Sequence, residues 1–203
     1  MKKIFLFIAL LFSQLVMAGP TGEDARALAE SQIRVILNKA KENKQLYTSN
    51  PDAFNQMIEQ EVLPYMDFKT MSKFVLGRNG KSIPASKQEE FSKAFQKFLI
   101  RAYTKGWQDY TDTNLDETLK FLNTPKVKNN RAVMKVQVKN KQGKVSQLDF
   151  ALSYSGGQWK IYDVIFENVS FLMSYRSSFE NIIKQEGIDS LINKLNNGSI
   201  VKQ

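Results

Sequence analysis

The 203-residue chain contains no cysteine and no histidine. Without cysteine there are no disulfide staples, no thiolate metal sites and no thiol to carry a lipoprotein's acyl chains. Without histidine the chain lacks the commonest general base, the usual nucleophile triads and dyads, and imidazole zinc ligation. Together these absences remove most hydrolase mechanisms. Past the first residues, Ser-x-x-Lys occurs only at Ser199–Lys202, in a tail where nothing would hold it. A glycine-rich phosphate loop is also missing. Gly77-Arg78-Asn79-Gly80 follows a helical pattern instead of a strand and lacks the lysine spacing of a nucleotide-binding loop. Nor is there a long hydrophobic run: the stretch Ile4–Phe12 falls short of the roughly 20 residues that a membrane-spanning helix needs.

What is present begins with Met1-Lys2-Lys3, the apolar stretch Ile4–Phe12 and Ser13-Gln14-Leu15-Val16-Met17-Ala18. A basic start, a hydrophobic centre and a small-residue end read as a secretory signal cleaved after Ala18. The expectation is export to the periplasm and release without a lipid anchor. Residues 19–203 are then expected to form one domain, at a length where folding buries roughly 70% of the unfolded chain's surface. With no disulfides, the core must suffice alone. The formal charge is +9, and Lys2 and Lys3 supply two of those charges. A basic surface favours anionic partners, and an exported protein meets little nucleic acid but much anionic lipid and acidic envelope protein. A solvated, lysine-rich surface without a specific partner is the plainer alternative.

Hydrophobic spacing places helices first. Thr21 and Asp24 have capping-box spacing, and Ala29, Ile33, Ile36, Leu37 and Ala40 share a face to about Asn43. Asn50-Pro51-Asp52 restarts the chain into a helix from Asp52 to Leu63. Another runs from Asp67 to Leu76 and stops at Gly77. Ser86 and Glu89 are spaced to cap a long helix carrying Phe91, Phe95, Phe98, Leu99, Ala102, Tyr103 and Gly106 to about Asp109, with Trp107 and Tyr110 beside the stripe.

Beyond Asp112 the period switches to two. Leu119 and Phe121, then Met134, Val136 and Val138, then Leu148, Phe150 and Leu152 alternate with largely polar neighbours. Asn140–Lys144 and Ser155-Gly156-Gly157-Gln158 supply hairpin turns, and the more uniformly apolar Trp159–Phe166 predicts a central strand. The chain closes with a helix from Ser170 to Glu186, a cap at Gly187 and a short helix from Asp189 to Leu195. The fold class is α+β: a helical N-terminal half and C-terminal helices packed on a roughly four-stranded antiparallel twisted sheet.

Two features could carry chemistry. Asp163 is an acid embedded in apolar sequence. It is either a carboxylate of raised pKa acting as a base, or a hydrogen-bonded anchor for a strand end. The aromatic load on helices and sheet is either ordinary core or the lining of an apolar cavity between the two layers.

The residues also resemble a family. Leu63-Pro64-Tyr65-Met66-Asp67-Phe68 and Met71-Ser72-Lys73-Phe74-Val75-Leu76-Gly77 resemble the opening of the MlaC-type periplasmic phospholipid carriers, the toluene-tolerance auxiliary proteins. Gln88, Phe91, Phe95 and Tyr103 match that family's long helix. Trp159-Lys160-Ile161-Tyr162-Asp163-Val164, Val169-Ser170, Tyr175-Arg176-Ser177 with Phe179, and Gly187-Ile188-Asp189-Ser190-Leu191 follow its C-terminal signature in order. Two positions depart: Asn168 stands where the family often has glycine, and Asn79-Gly80 where it often has an aromatic.

The resemblance implies a non-enzymatic shuttle, expected as a monomer, without metal or cofactor. It would carry glycerophospholipid, its acyl tails held in an apolar cavity between sheet and helices with the headgroup in water, between an outer-membrane lipoprotein complex and an inner-membrane ABC transporter with its membrane-anchored substrate-binding subunit. At about 0.8 kcal/mol per methylene, a sixteen-carbon tail represents on the order of 12 kcal/mol that the carrier must shield from water. The expected lining is Phe74, Val75, Leu99, Tyr103, Val136, Val138, Phe150, Leu152, Trp159, Ile161, Phe171 and Tyr175, drawn from the apolar pattern. Arg78, Lys81 and Arg176 are expected at the headgroup or a partner.

Overall fold

In the computed structural model, residues 19–104, 119–139 and 142–200 are described. The expected leader, the far end of the long helix with Gly106, Trp107 and Tyr110, and Lys202 lie outside them. So does part of the turn expected at Asn140–Lys144.

Helix α1 (Gly22–Glu42) starts where the spacing placed it: the Thr21 hydroxyl accepts the Asp24 amide at 3.1 Å and donates to the Asp24 carboxylate at 2.7 Å. Those bonds satisfy one of the free amides at a helix start. A six-residue helix, α2 (Lys44–Ser49), precedes the Asn50 cap, in a stretch where hydrophobic spacing marked no element. Helix α3 (Pro51–Glu61) and a single 3-10 turn at Leu63–Tyr65 then lead to α4 (Phe68–Leu76). Gly77 ends α4 at φ +52, a region open to glycine, and a Cβ there would come within 2.5 Å of the Arg176 guanidinium.

A second 3-10 turn, Gly77–Lys81, precedes α5 (Ala85–Thr104). The helix therefore begins one residue before Ser86, and Glu89 pairs forward with Lys93 at 2.8 Å in place of the expected capping box.

The sheet is a meander in the order β1 (Leu119–Phe121), β2 (Arg131–Lys139), β3 (Val145–Ser155), β4 (Gln158–Phe166), β5 (Val169–Ser170). All neighbours are antiparallel. There are five strands where four were expected, because two residues after the tight turn at Glu167-Asn168 fold back onto β4. The central strand is β3. The apolar character of β4 has another source: both of its faces are covered, and a β-bulge sets Tyr162 and Asp163 together opposite Ala151. The extra residue buries Ile161, Tyr162 and Asp163 in succession, breaking the alternation that normally marks a strand with one wet face.

Helix α6 (Phe171–Asn197) closes the chain and is interrupted at Gly187, whose φ of 86° and ψ of 171° are non-helical, as the sequence anticipated. Rings from α5 and α6 interlock in the main core: Phe91, Phe95 and Phe179 are fully buried, with Phe95–Phe179 centroids 5.7 Å apart and edge-on. Arg101 of α5 donates to the carbonyls of Leu195 and Asn196, tying the end of α6 to α5.

Candidate functional site

The sheet divides the apolar residues into two layers. On one face Ala25 and Ala29 of α1 sit on Ala132, Met134, Val136, Leu152, Trp159 and Ile161. On the other, α4, α5 and α6 pack together over Ala151 and Tyr162.

Of the expected lining residues, Val136, Val138, Phe150, Leu152, Trp159 and Ile161 belong to the α1 face. Phe74, Val75, Leu99, Phe171 and Tyr175 belong to the helical layer. Tyr103 lies in α5, and its side chain is outside the described residues. Strand alternation and the helical stripe both identify apolar positions, but neither reveals that the sheet stands between them.

The α1 face changes character across its strands. Met134 and Val136 of β2 and Leu152 of β3 are fully buried and Trp159 of β4 nearly so. The register carries the same face on to Val138, Leu148, Phe150 and Val164, which are half-buried. It finishes at Phe166, 51% exposed, and Val169, 61% exposed. Burial therefore falls across the sheet from β2 toward β5 while the side chains stay apolar apart from Ser146, opposite Val138. An antiparallel sheet face that meets water ordinarily turns polar. This one forms an apolar ledge running out from beneath α1.

Asp163 is fully engaged as an anchor. Its carboxylate accepts the amides of Val164 at 2.9 Å and Leu172 at 3.2 Å and the hydroxyl of Ser170, so it fixes the start of α6 to the bulge in β4. That is the second of the two roles open to it in the sequence.

Asp67 plays a matching part that the sequence did not signal. It caps α4 through the Thr70 amide at 2.9 Å and accepts the Thr70 and Ser153 hydroxyls, each at 2.7 Å. Burial alone would raise its pKa, but the hydrogen bonds from Ser153 and Thr70, with Lys160 nearby, bring it below the ordinary aspartate value.

Among the expected basic contacts, Arg176 lies against Gly77, Arg78 and Arg176 both act on Glu180, and Lys81 is exposed at the end of its 3-10 turn. Sequence reasoning passed over Arg131, whose guanidinium lies over the rings of Phe74 at 5.6 Å and Tyr162 at 5.4 Å, at the seam between sheet and α4. The signal was present in Lys126-x-Lys128-x-x-Arg131, but without the hairpin it reads as surface charge. No group of three or more acidic residues that could hold a metal occurs among the described residues, and no described helix is long and apolar enough to cross a membrane.

An open five-stranded antiparallel sheet between helices is the fold of a solved phospholipid-binding protein from Ralstonia solanacearum, determined in complex with a phospholipid. The two match with a TM-score of 0.74 at 22% identity, over 86% of this chain and 96% of that one. Residues 30–197 match the family model described as MlaC protein, and the chain belongs to that family. It is 25% identical over 181 residues to the intermembrane phospholipid transport system binding protein MlaC of Haemophilus influenzae, covering 83% of each chain. It is 22% identical over 190 residues to the toluene tolerance protein ttg2D of Pseudomonas putida, covering 93% of this chain and 85% of that protein.

Proposed function

We propose that this protein is a periplasmic phospholipid carrier, delivered there by its N-terminal signal and cleaved after Ala18. It moves glycerophospholipid between the outer and inner membranes without catalysing a reaction. Its partners are an outer-membrane lipoprotein complex and an inner-membrane ABC transporter with a membrane-anchored substrate-binding subunit, and ATP is hydrolysed by the transporter. Family membership and the names of the relatives support this reading.

The observation that carries it on this chain is the apolar ledge of Val138, Leu148, Phe150, Val164, Phe166 and Val169, which continues a buried sheet face into the open. An acyl chain laid along it exchanges water for side-chain contact at about 0.8 kcal/mol per methylene. The interlocked rings of α5 and α6 support a structural role for Phe171 and Tyr175, while Val138 and Phe150 are the lining residues on the ledge itself.

Native mass spectrometry of the purified protein should find phospholipid bound, and incubation with vesicles should load a stripped sample. Val164→Asp, which places a charge on the ledge, should abolish loading while the fold survives. A wild-type protein that stays empty after vesicle incubation refutes the carrier reading. A Val164→Asp variant that loads normally refutes the ledge as the tail site.

A further inference from the structure

A pocket of about 690 Å³ opens on the side of the sheet away from α1. Its walls include Lys126, Lys128, Asn129, Arg131, Val133 and Tyr162. Three of these are cations, and the backbone brings two of them, Lys128 and Arg131, together. Asn129 and Asn130, at φ 51° and 56°, form a two-residue turn closed by reciprocal bonds: the Lys128 amide donates to the Arg131 carbonyl at 2.9 Å, and the Arg131 amide to the Lys128 carbonyl at 3.0 Å. That turn sets Lys128 directly across from Arg131. Lys126, two residues earlier, joins them on the pocket wall.

Like charges directly opposite on paired strands repel. None of the three takes part in the ion pairs found among the described residues. The Arg131 guanidinium rests over Phe74 and Tyr162, which favours its staying beside the pocket. Burial holds the Tyr162 phenol above its ordinary pKa even though Arg131 acts to lower it and Asp163 adds to the rise, so its hydroxyl stays protonated as a donor. A concave site with converged, unneutralised donors, one of them a guanidinium stacked on two rings, is complementary to a small multivalent oxyanion.

The geometry points to Lys126, Lys128 and Arg131 forming a binding site for a phosphoryl group, with Asn129 and Tyr162 on its walls. The phosphoryl group can come from free phosphate or from a lipid headgroup. The pocket and the ledge lie on opposite faces of the sheet and toward opposite ends of β2, so this site does not depend on where acyl chains are held.

The test is titration of the isotopically labelled full-length protein with inorganic phosphate at constant ionic strength, followed by amide NMR. Saturable shifts confined to Lys126, Lys128, Asn129, Arg131 and their neighbours are expected. Lys126→Gln with Lys128→Gln, both at exposed positions, should weaken binding about tenfold or more, the factor that one lost charge-assisted hydrogen bond brings. Dihexanoyl phosphatidylglycerol is compared with dihexanoylglycerol, which lacks the phosphate. Pocket shifts with the phospholipid but not with inorganic phosphate assign the site to a headgroup, and shifts with both assign it to phosphate in either form.

Shifts that stay linear and spread over surface lysines, or that survive the double substitution, overturn the proposal. Saturation by polyglutamate without saturation by any phosphate compound also overturns it, in favour of an acidic protein partner. Lipid content measured by native mass spectrometry on the same samples reports separately on carriage, so either idea can fail without the other.

Discussion

Replacing Asp67 by alanine removes a carboxylate that joins α4 to β3. It accepts the Thr70 amide as a helix cap, the Thr70 hydroxyl, and the Ser153 hydroxyl from the sheet, in a position only 8% exposed. Loss of the cap costs about 1 kcal/mol. The buried Ser153 hydroxyl, left without its acceptor, adds about 1–2 kcal/mol. The bond from the Asp67 amide to the Ile161 carbonyl, 2.8 Å, is backbone and survives, so the helix stays docked. The total is about 2–3 kcal/mol, or roughly 4–12 °C in Tm for a domain of this size.

Urea unfolding of wild type, Asp67→Ala, Ser153→Ala and the double variant measures the coupling, expected at about 1–2 kcal/mol for hydrogen-bonded neighbours. The hydrogen bonds lower the Asp67 pKa below its unfolded value near 3.8. Its contribution is therefore complete above that value and is lost as pH falls through the folded pKa. The gap between wild type and Asp67→Ala should narrow on acidification. A destabilisation under about 0.5 kcal/mol at neutral pH, or a gap that widens in acid, would refute the account.

Asp163→Asn should lower stability by about 1–3 kcal/mol, because it exchanges an acceptor of three hydrogen bonds for a weaker amide, while phospholipid loading in vesicle assays stays intact. Gly77→Ala should destabilise by about 1–2 kcal/mol in thermal melts through the positive φ alone, with added cost as Arg176 is displaced. At the turn before β5, Asn168→Val should cost about 1–2 kcal/mol and Asn168→Gly should cost nothing, since the residue sits at φ 65°; equal melting temperatures for the two variants would contradict this.

Elements written in local chemistry are legible in the amino-acid order alone. Thr21 with Asp24, Pro51 after Asn50, and Gly187 all mark real boundaries, because a cap or a chain reversal depends on a few adjacent residues. The alternation in β2 gave its buried face correctly for the same reason, whereas β3 also buries Asp149, Ala151 and Ser153 on its other face, which alternation with one buried face did not anticipate. The bulge at Tyr162-Asp163 was hidden: a strand covered on both faces has no regular alternation for an extra residue to interrupt. The fifth strand, two residues long, carries no periodicity at all.

Asn168 was visible as a departure from the family's frequent glycine, and its left-handed conformation explains why: asparagine is among the few other residues that tolerate that region. The lining residues were legible as apolar and illegible as two groups, because which side of a sheet a helix covers is a property of the whole chain. Lys128 and Arg131 became neighbours only through a turn of two asparagines.

The short outer strands bear on solubility. A sheet that displays Phe166 and Val169 to water risks pairing with another copy along its margins, as amyloid-forming segments do. Within the described residues its long strands, β2 to β4, are flanked by stubs of three and two residues, and the outer side of β4 is met at Ile161 by the Asp67 amide. Backbone donors and acceptors along the margin are thus offered in runs too brief to template a new strand. Stickiness on the face is separated from stickiness at the edge, which leaves the ledge open to the acyl chain of the proposed function.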